Sequence, residues 1–243
     1  MAEAFFWGAA ASVSLVVGGV VAYVARVGQR SLGLVMAFGA GVLISAVAFE
    51  LVEEAATTSA GSGGVGLGLF AGSVAFWLGD GFIDRLGGAD RKRSSGEQSA
   101  GSGPAILLGI ILDGIPESIV LGLTILQGGA VSVAFVVAVF LSNVPEAIGA
   151  TTGLDRAGWP RGRVLGLWVA VTVVAGLAAL LGYTVFAGAS PRTIAFVLAF
   201  AGGAILTMLA DTMMPEAFEN AGPAVGLVTT LGFAFAYAIT ALE

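Results

Sequence analysis

The sequence predicts an all-α polytopic membrane protein with eight transmembrane helices, spans 1–3 and 6–8 forming inverted repeats around a central pair, spans 4 and 5. Three observations carry this. Of 243 residues, 57% are hydrophobic and 11% charged, against about 25% charged in a soluble domain. Too few polar side chains remain to coat a water-exposed surface. Apolar segments of the roughly 20 residues needed to cross a hydrocarbon core follow one another along nearly the whole chain. Finally, the basic residues gather in alternate loops, as the sidedness of a multi-pass chain requires.

The eight segments run at about 4–25, 32–54, 62–83, 104–126, 130–152, 164–187, 193–213 and 223–242. Residues 1–243 therefore read as a single transmembrane domain, with only loops between spans. Segment 1 is read as a span and not a cleaved leader, because Glu3 stands where a leader carries basic residues. Arg26 to Arg30 interrupts the first pair, and Gly61, Ser62, Gly63 and Gly64 link the second span to the third. Residues 87–103, with Arg91, Lys92, Arg93, Ser94, Ser95 and Gly96, read as a mobile cytoplasmic loop. Gln127, Gly128 and Gly129 make a tight turn between spans 4 and 5. Ser190-Pro191-Arg192 separates spans 6 and 7, since proline lacks an N–H and disfavours helix in the residue before it. The 38 glycines let helix backbones approach closely.

Arg26, Arg30, Arg85, Arg91, Lys92, Arg93, Arg156, Arg161 and Arg163 lie in or beside odd-numbered loops, and only Arg192 falls in an even one. The positive-inside rule makes the odd loops cytoplasmic. Both termini are then outside, which an even number of spans requires, and the expected location is the plasma (inner) membrane.

Composition also excludes chemistry. The chain has no histidine and no cysteine, so imidazole and thiolate metal sites, disulfides and catalytic Cys or His are ruled out. A net charge of −6 without a basic face argues against nucleic-acid partners. No Gly-x-x-x-x-Gly-Lys-Ser/Thr string is present to couple ATP. Neither an enzyme nor a resident cofactor is expected; the partners are the lipid bilayer and an ion handled by oxygen ligands.

The informative residues are acids in the middle of apolar spans. Span 4 reads Leu112-Asp113-Gly114-Ile115-Pro116-Glu117-Ser118, and span 5 reads Leu141-Ser142-Asn143-Val144-Pro145-Glu146-Ala147. A carboxylate at the bilayer centre costs about 3 kcal/mol on insertion scales. Asp113 and Glu117 are i,i+4, and Asn143 and Glu146 are i,i+3, so each pair shares a helix face. Pro116 and Pro145 free the carbonyls of Leu112 and Leu141, which a cation or water can then satisfy. No lysine or arginine lies mid-span to neutralise the acids. On the residues alone three readings stand: a cation site, a proton relay, or protonated acids that hold the bundle together. The candidate ligands are Asp113, Glu117, Asn143 and Glu146, with Ser142 and Ser118 beside them.

Two further strings flank this pair. Phe49-Glu50-Leu51-Val52-Glu53-Glu54-Ala55 lies near the outer end of span 2, and Asp211-Thr212-Met213-Met214-Pro215-Glu216-Ala217 near the inner end of span 7. Their loose similarity at opposite faces is what inverted repeats produce. Glu50 and Asp211 are expected to sit deeper and to line the ion pathway together with Glu216, while Glu53, Glu54 and Glu219 are expected at the interface. Asp80 and Asp84, one turn apart near the cytoplasmic end of span 3, read as interfacial acids near Arg85 or as part of an exit path.

These motifs resemble the ZIP (Zrt/Irt-like) metal transporters: Pro-Glu on spans 4 and 5, eight helices, outside termini and a variable loop 3–4. That family's span 4 motif usually reads His-Asn-x-Pro-Glu-Gly. Here Asp113 stands at the His position, Gly114 at the Asn position and Ser118 at the Gly position, while Glu117 is kept. On span 5, Ser142 and Asn143 precede x-Pro-Glu, Glu146 is kept and Ala147 replaces Gly. The resemblance implies a transporter that moves Zn, Mn, Fe or Cd toward the cytoplasm by alternating access. Some members form homodimers, on which no residue here decides. Members with a two-metal site supply a Glu from span 6, and span 6 here has no acid. Asp for His makes an all-oxygen shell, which suits Mg²⁺ or Mn²⁺ and discriminates weakly against Zn²⁺ or Fe²⁺. A proton-coupled carrier or exchanger of another cation, Mg or Na, is the alternative that the same acids would serve.

Overall fold

The computed structural model describes residues 1–59, 63–88, 103–128 and 131–242. Every regular element among them is a helix. In chain order these are α1 (Ala2–Val24), α2 (Gln29–Thr58), α3 (Gly64–Ile83), α4 (Gly103–Gly128), α5 (Val133–Arg156), α6 (Arg161–Val185), α7 (Pro191–Ala221) and α8 (Ala224–Thr240). Seven are long and apolar enough to cross a membrane, and α8 is a shorter apolar helix. The chain is thus an all-α, multi-pass membrane protein in character. Most of the expected loop at 87–103 lies outside the described residues.

Two helices run past their expected ends for the same reason. Helix α2 is broken by a π turn at Val47–Val52 and then resumes as Glu53–Thr58. Helix α7 has a π turn at Leu209–Met213 and resumes as Met214–Ala221. Through each turn and beyond it the apolar contact continues: Leu51 within the turn and Ala55 after it are buried in α2, as are Met213 and Ala217 in α7. Short π turns interrupt α-helices mostly at functional positions, and these carry Glu50 and Asp211. The prolines of α4 and α5, by contrast, lie inside helices that continue through them.

The helices associate as two groups, each drawing on both halves of the chain. One group joins α1, α4, α5 and α6; the other joins α2, α3, α7 and α8. Glycine makes the close crossings within each. In the second group a methyl on Gly41 would overlap the Thr229 carbonyl oxygen, and one on Gly232 the Phe38 oxygen. The α3–α7 crossing repeats this: Gly72 meets the Phe200 oxygen and Gly203 the Leu69 oxygen. In the first group Gly122 meets the Ala179 oxygen, Gly182 the Ile119 oxygen and Gly18 the Val144 oxygen. Polar contacts support the same grouping. Trp168 Nε1 donates to Thr151 Oγ1 at 2.8 Å, and Thr172 Oγ1 donates to the Ser12 carbonyl at 3.1 Å. Between groups the approach is looser. A Gly39 methyl would lie 3.1 Å from the Leu141 oxygen, and Gly79 faces the Leu112 side chain at 3.2 Å. The Leu141 carbonyl freed by Pro145 therefore faces α2.

These crossings have a measurable consequence. Gly72→Ala and Gly203→Ala force α3 off α7 and should each destabilise the protein by about 1–3 kcal/mol, the usual cost of overpacking. Gly66→Ala, where no atom lies within 4 Å of the new methyl, should leave the melting temperature unchanged or raise it, since alanine is the better helix former. Thermal melts in detergent would check the contrast.

Candidate functional site

Helices α4 and α5 make little direct contact with one another, each packing mainly on a different neighbour. The gap between them is closed by α1 and α6, and it leaves a cavity of about 20 Å³. Its wall holds Asp113 and Glu117 from α4 and Asn143 and Glu146 from α5. Asp113 is 4% exposed, Glu117 3% and Asn143 7%; Glu146 is half-buried. The four residues singled out by their spacing thus line one cavity, the two carboxylates of α4 together with the amide and carboxylate of α5. A water molecule needs roughly 10–15 Å³, so the space admits one water or one bare monatomic ion and nothing organic. The remaining wall is largely aliphatic, with Leu15, Ile110, Val171 and Ala175, and no lysine or arginine is among its described lining residues. Among the described residues no three acidic side chains already stand in a geometry that could hold a metal ion.

The two candidate serines lie elsewhere. Ser142 is buried and its hydroxyl donates to the Val139 carbonyl at 3.0 Å; its backbone packs on Gly39 of α2. Ser118 donates to the Gly114 carbonyl at 2.7 Å and borders an adjoining apolar pocket of about 10 Å³ with Ile111, Ile115 and Val174. Both hydroxyls are spent on their own helices, as serine commonly does inside a helix.

Glu50 is half-buried and accepts a hydrogen bond from Thr240 Oγ1 at 2.9 Å. It lines a wide cavity of about 250 Å³ with Phe49, Glu54, Thr124 and Gln127. Gln127 Nε2 donates to Glu54 Oε1 at 3.2 Å, which bridges the two helix groups. Thr124 and Gln127 lie on α4, and Glu117 is about 10 Å from the first and about 15 Å from the second along that helix at 1.5 Å per residue.

At the other π turn the expectation that Asp211 is a deep residue is not met, while the expected pathway residue Glu216 is buried. Asp211 is exposed, whereas Glu216 is 6% exposed with its Oε2 enclosed. A π turn adds a residue to the helix and advances everything beyond it by about 100°, so a face extrapolated at 3.6 residues per turn is wrong past the turn. Sequence reasoning also missed Ser12 and Leu15, which α1 contributes to the central cavity.

A scan of protein families finds none that matches this chain, and no curated protein matches it.

Proposed function

We propose that the chain is a secondary transporter that carries a divalent metal cation (Zn, Mn, Fe or Cd) across the membrane toward the cytoplasm. Asp113, Glu117, Asn143 and Glu146 are its ion ligands, as in the ZIP-type transporters that its motifs resemble. One observation carries the reading: an ion-sized cavity, lined by three carboxylates and a carboxamide, enclosed by apolar helices without a basic side chain on its wall. Acids persist in such surroundings when they pair, bind a cation or line water. Capture then requires the side chains to converge on the ion by rotamer changes.

The transport cycle follows from the packing. Helices α1, α4, α5 and α6 are locked together by glycine crossings and would move as one body against α2, α3, α7 and α8. Metal reaches the site past Glu50 and Glu54 and leaves toward Glu216 and Asp211. All eight helices span the plasma membrane on this reading, with both termini outside. Support for that sidedness comes from Arg161, whose guanidinium stacks 5.0 Å from the Tyr23 ring, and Arg163, 4.2 Å from the Trp159 ring. The first pair sets loops 1–2 and 5–6 at one end, and both pairs put aromatic rings beside the basic residues there. An inverted repeat is supported by residues in constant sequence register. Phe38, Gly41, the π turn from Val47 and Ala55 in α2 match Phe200, Gly203, the π turn from Leu209 and Ala217 in α7.

The all-oxygen donor set favours a harder ion as a second reading, with Mg²⁺ or Na⁺ moved in exchange for protons. Flux of Mn²⁺, Zn²⁺, Cd²⁺, Mg²⁺ and Na⁺ into liposomes holding the purified protein separates the two. Saturable divalent transition-metal uptake is the expected result. Uptake of Na⁺ or Mg²⁺ alone would establish the alternative, and no flux of any ion would overturn both.

A further inference from the structure

We propose that Ser12 of α1 is a specificity-determining ligand of the central cavity, giving its hydroxyl oxygen to the transported ion and tuning the site toward hard divalent cations of the Mn²⁺ and Mg²⁺ kind. The proposal rests on the cation reading of that cavity and adds a residue from a helix without any acid near its middle. Ser12 lines the cavity together with Asp113, Glu117, Asn143 and Glu146, and it is 5% exposed.

Its hydroxyl differs from those of the serines that bond their own helix, and it lines the cavity, unlike Ser45, whose enclosed hydroxyl also has no partner among the described residues. Ser14 donates to Ala11 O at 2.5 Å, Ser118 to Gly114 O at 2.7 Å and Ser142 to Val139 O at 3.0 Å. The Ser12 hydroxyl makes no hydrogen bond within its own helix and is not among the fully enclosed polar atoms of the described residues, as fits a side chain that borders the cavity shared with the three carboxylates. A hydroxyl oxygen not committed to its own backbone can meet a water or an ion that enters the cavity.

The backbone position is fixed as well. Thr172 Oγ1 bonds the Ser12 carbonyl at 3.1 Å, tying α1 to α6 at this level. Gly8 and Gly18 bring α1 against α6 and α5 on either side. Ser12 therefore rides with the carboxylates and keeps its place on the cavity wall when that helix group moves. Divalent cations such as Mg²⁺ take about six oxygen ligands; the two acids of α4 with the amide and acid of α5 leave room for a further one. A neutral hydroxyl adds a hard donor without adding charge, whereas a thiolate at the same place would favour softer ions.

Because the chain contains no cysteine, Ser12→Cys creates a single thiol. The full-length protein is reconstituted in liposomes and Mn²⁺ and Cd²⁺ uptake are compared. The Cd²⁺-to-Mn²⁺ ratio of Ser12→Cys should rise about tenfold or more over wild type, equivalent to ~1.4 kcal/mol. Added Cd²⁺ should also give a thiolate-to-metal charge-transfer band in the ultraviolet that Ser14→Cys does not show. Ser12→Ala should lower Mn²⁺ uptake with no gain for Cd²⁺. An unchanged ratio in Ser12→Cys, no band, or an equal loss of both metals in the Cys and Ala variants would overturn the proposal while leaving the transport reading in place. A wild-type protein that moves neither ion would overturn both.

Discussion

Glu117→Gln and Glu146→Gln should each cut divalent-metal flux by about 100-fold, the effect of losing ~3 kcal/mol of charged ligation at 1.4 kcal/mol per tenfold. The argument is one of charge in a nearly dry space. Glu117 is 3% exposed and shares a cavity of about 20 Å³ with Asp113 and Glu146. A bound ion has no bulk water there to compensate for a missing carboxylate. Glutamine keeps the shape and the oxygen but removes the charge, so the helices repack without a void. Stability should move the opposite way to function: three acids around one small cavity repel each other when no ion is bound, and replacing one relieves that repulsion. The variants should thus melt at or above the wild-type temperature in metal-free buffer and show less stabilisation when metal is added. Flux retained in both variants would mean that these acids serve only to hold the bundle together.

The parts of this arrangement that were legible in the sequence are those that are energetically conspicuous. A proline followed by a glutamate in an apolar helix costs enough, twice over, to mark its place, and i,i+3 and i,i+4 spacing then fixes which neighbours share a face. Asp113, Glu117, Asn143 and Glu146 were readable for that reason and do line one cavity. Ser12 was not, because a serine in a membrane helix usually returns its hydroxyl to its own backbone, as Ser118 and Ser142 do. Which serine departs from that habit depends on what stands opposite. The π turns at Val47–Val52 and Leu209–Met213 were equally hidden: a π turn has one residue more than the α-helix would use, with no residue type that signals it. That slip is why Asp211, expected to sit deep, is exposed while Glu216 is buried. The grouping of helices was also beyond the sequence, since Gly72 and Gly203 report close packing only when the partner helix is known.

Locking the two helix groups together at their Glu54–Gln127 contact should stop transport, reducing flux by about tenfold or more because a cycle confined to one conformation cannot turn over. The absence of native cysteine makes the experiment clean. Glu54 and Gln127 side chains meet at 3.2 Å across the group boundary, so Glu54→Cys with Gln127→Cys can be joined by a short, reducible bis-thiol reagent. Flux should fall on linkage and return on reduction, with the unlinked double variant as reference. The control lies inside one group: Tyr23 and Arg161 stack across α1 and α6. Tyr23→Cys with Arg161→Cys, joined by the same reagent, should leave flux near its unlinked level. The contrast matters more than either value, because a general effect of cross-linking would depress both. Equal flux before and after linkage at 54 and 127 would mean that the groups do not slide there, and that any ion path opens within a group instead. Equal inhibition at both pairs would place movement between α1 and α6, where the glycine contacts and the Thr172 hydrogen bond argue for rigidity.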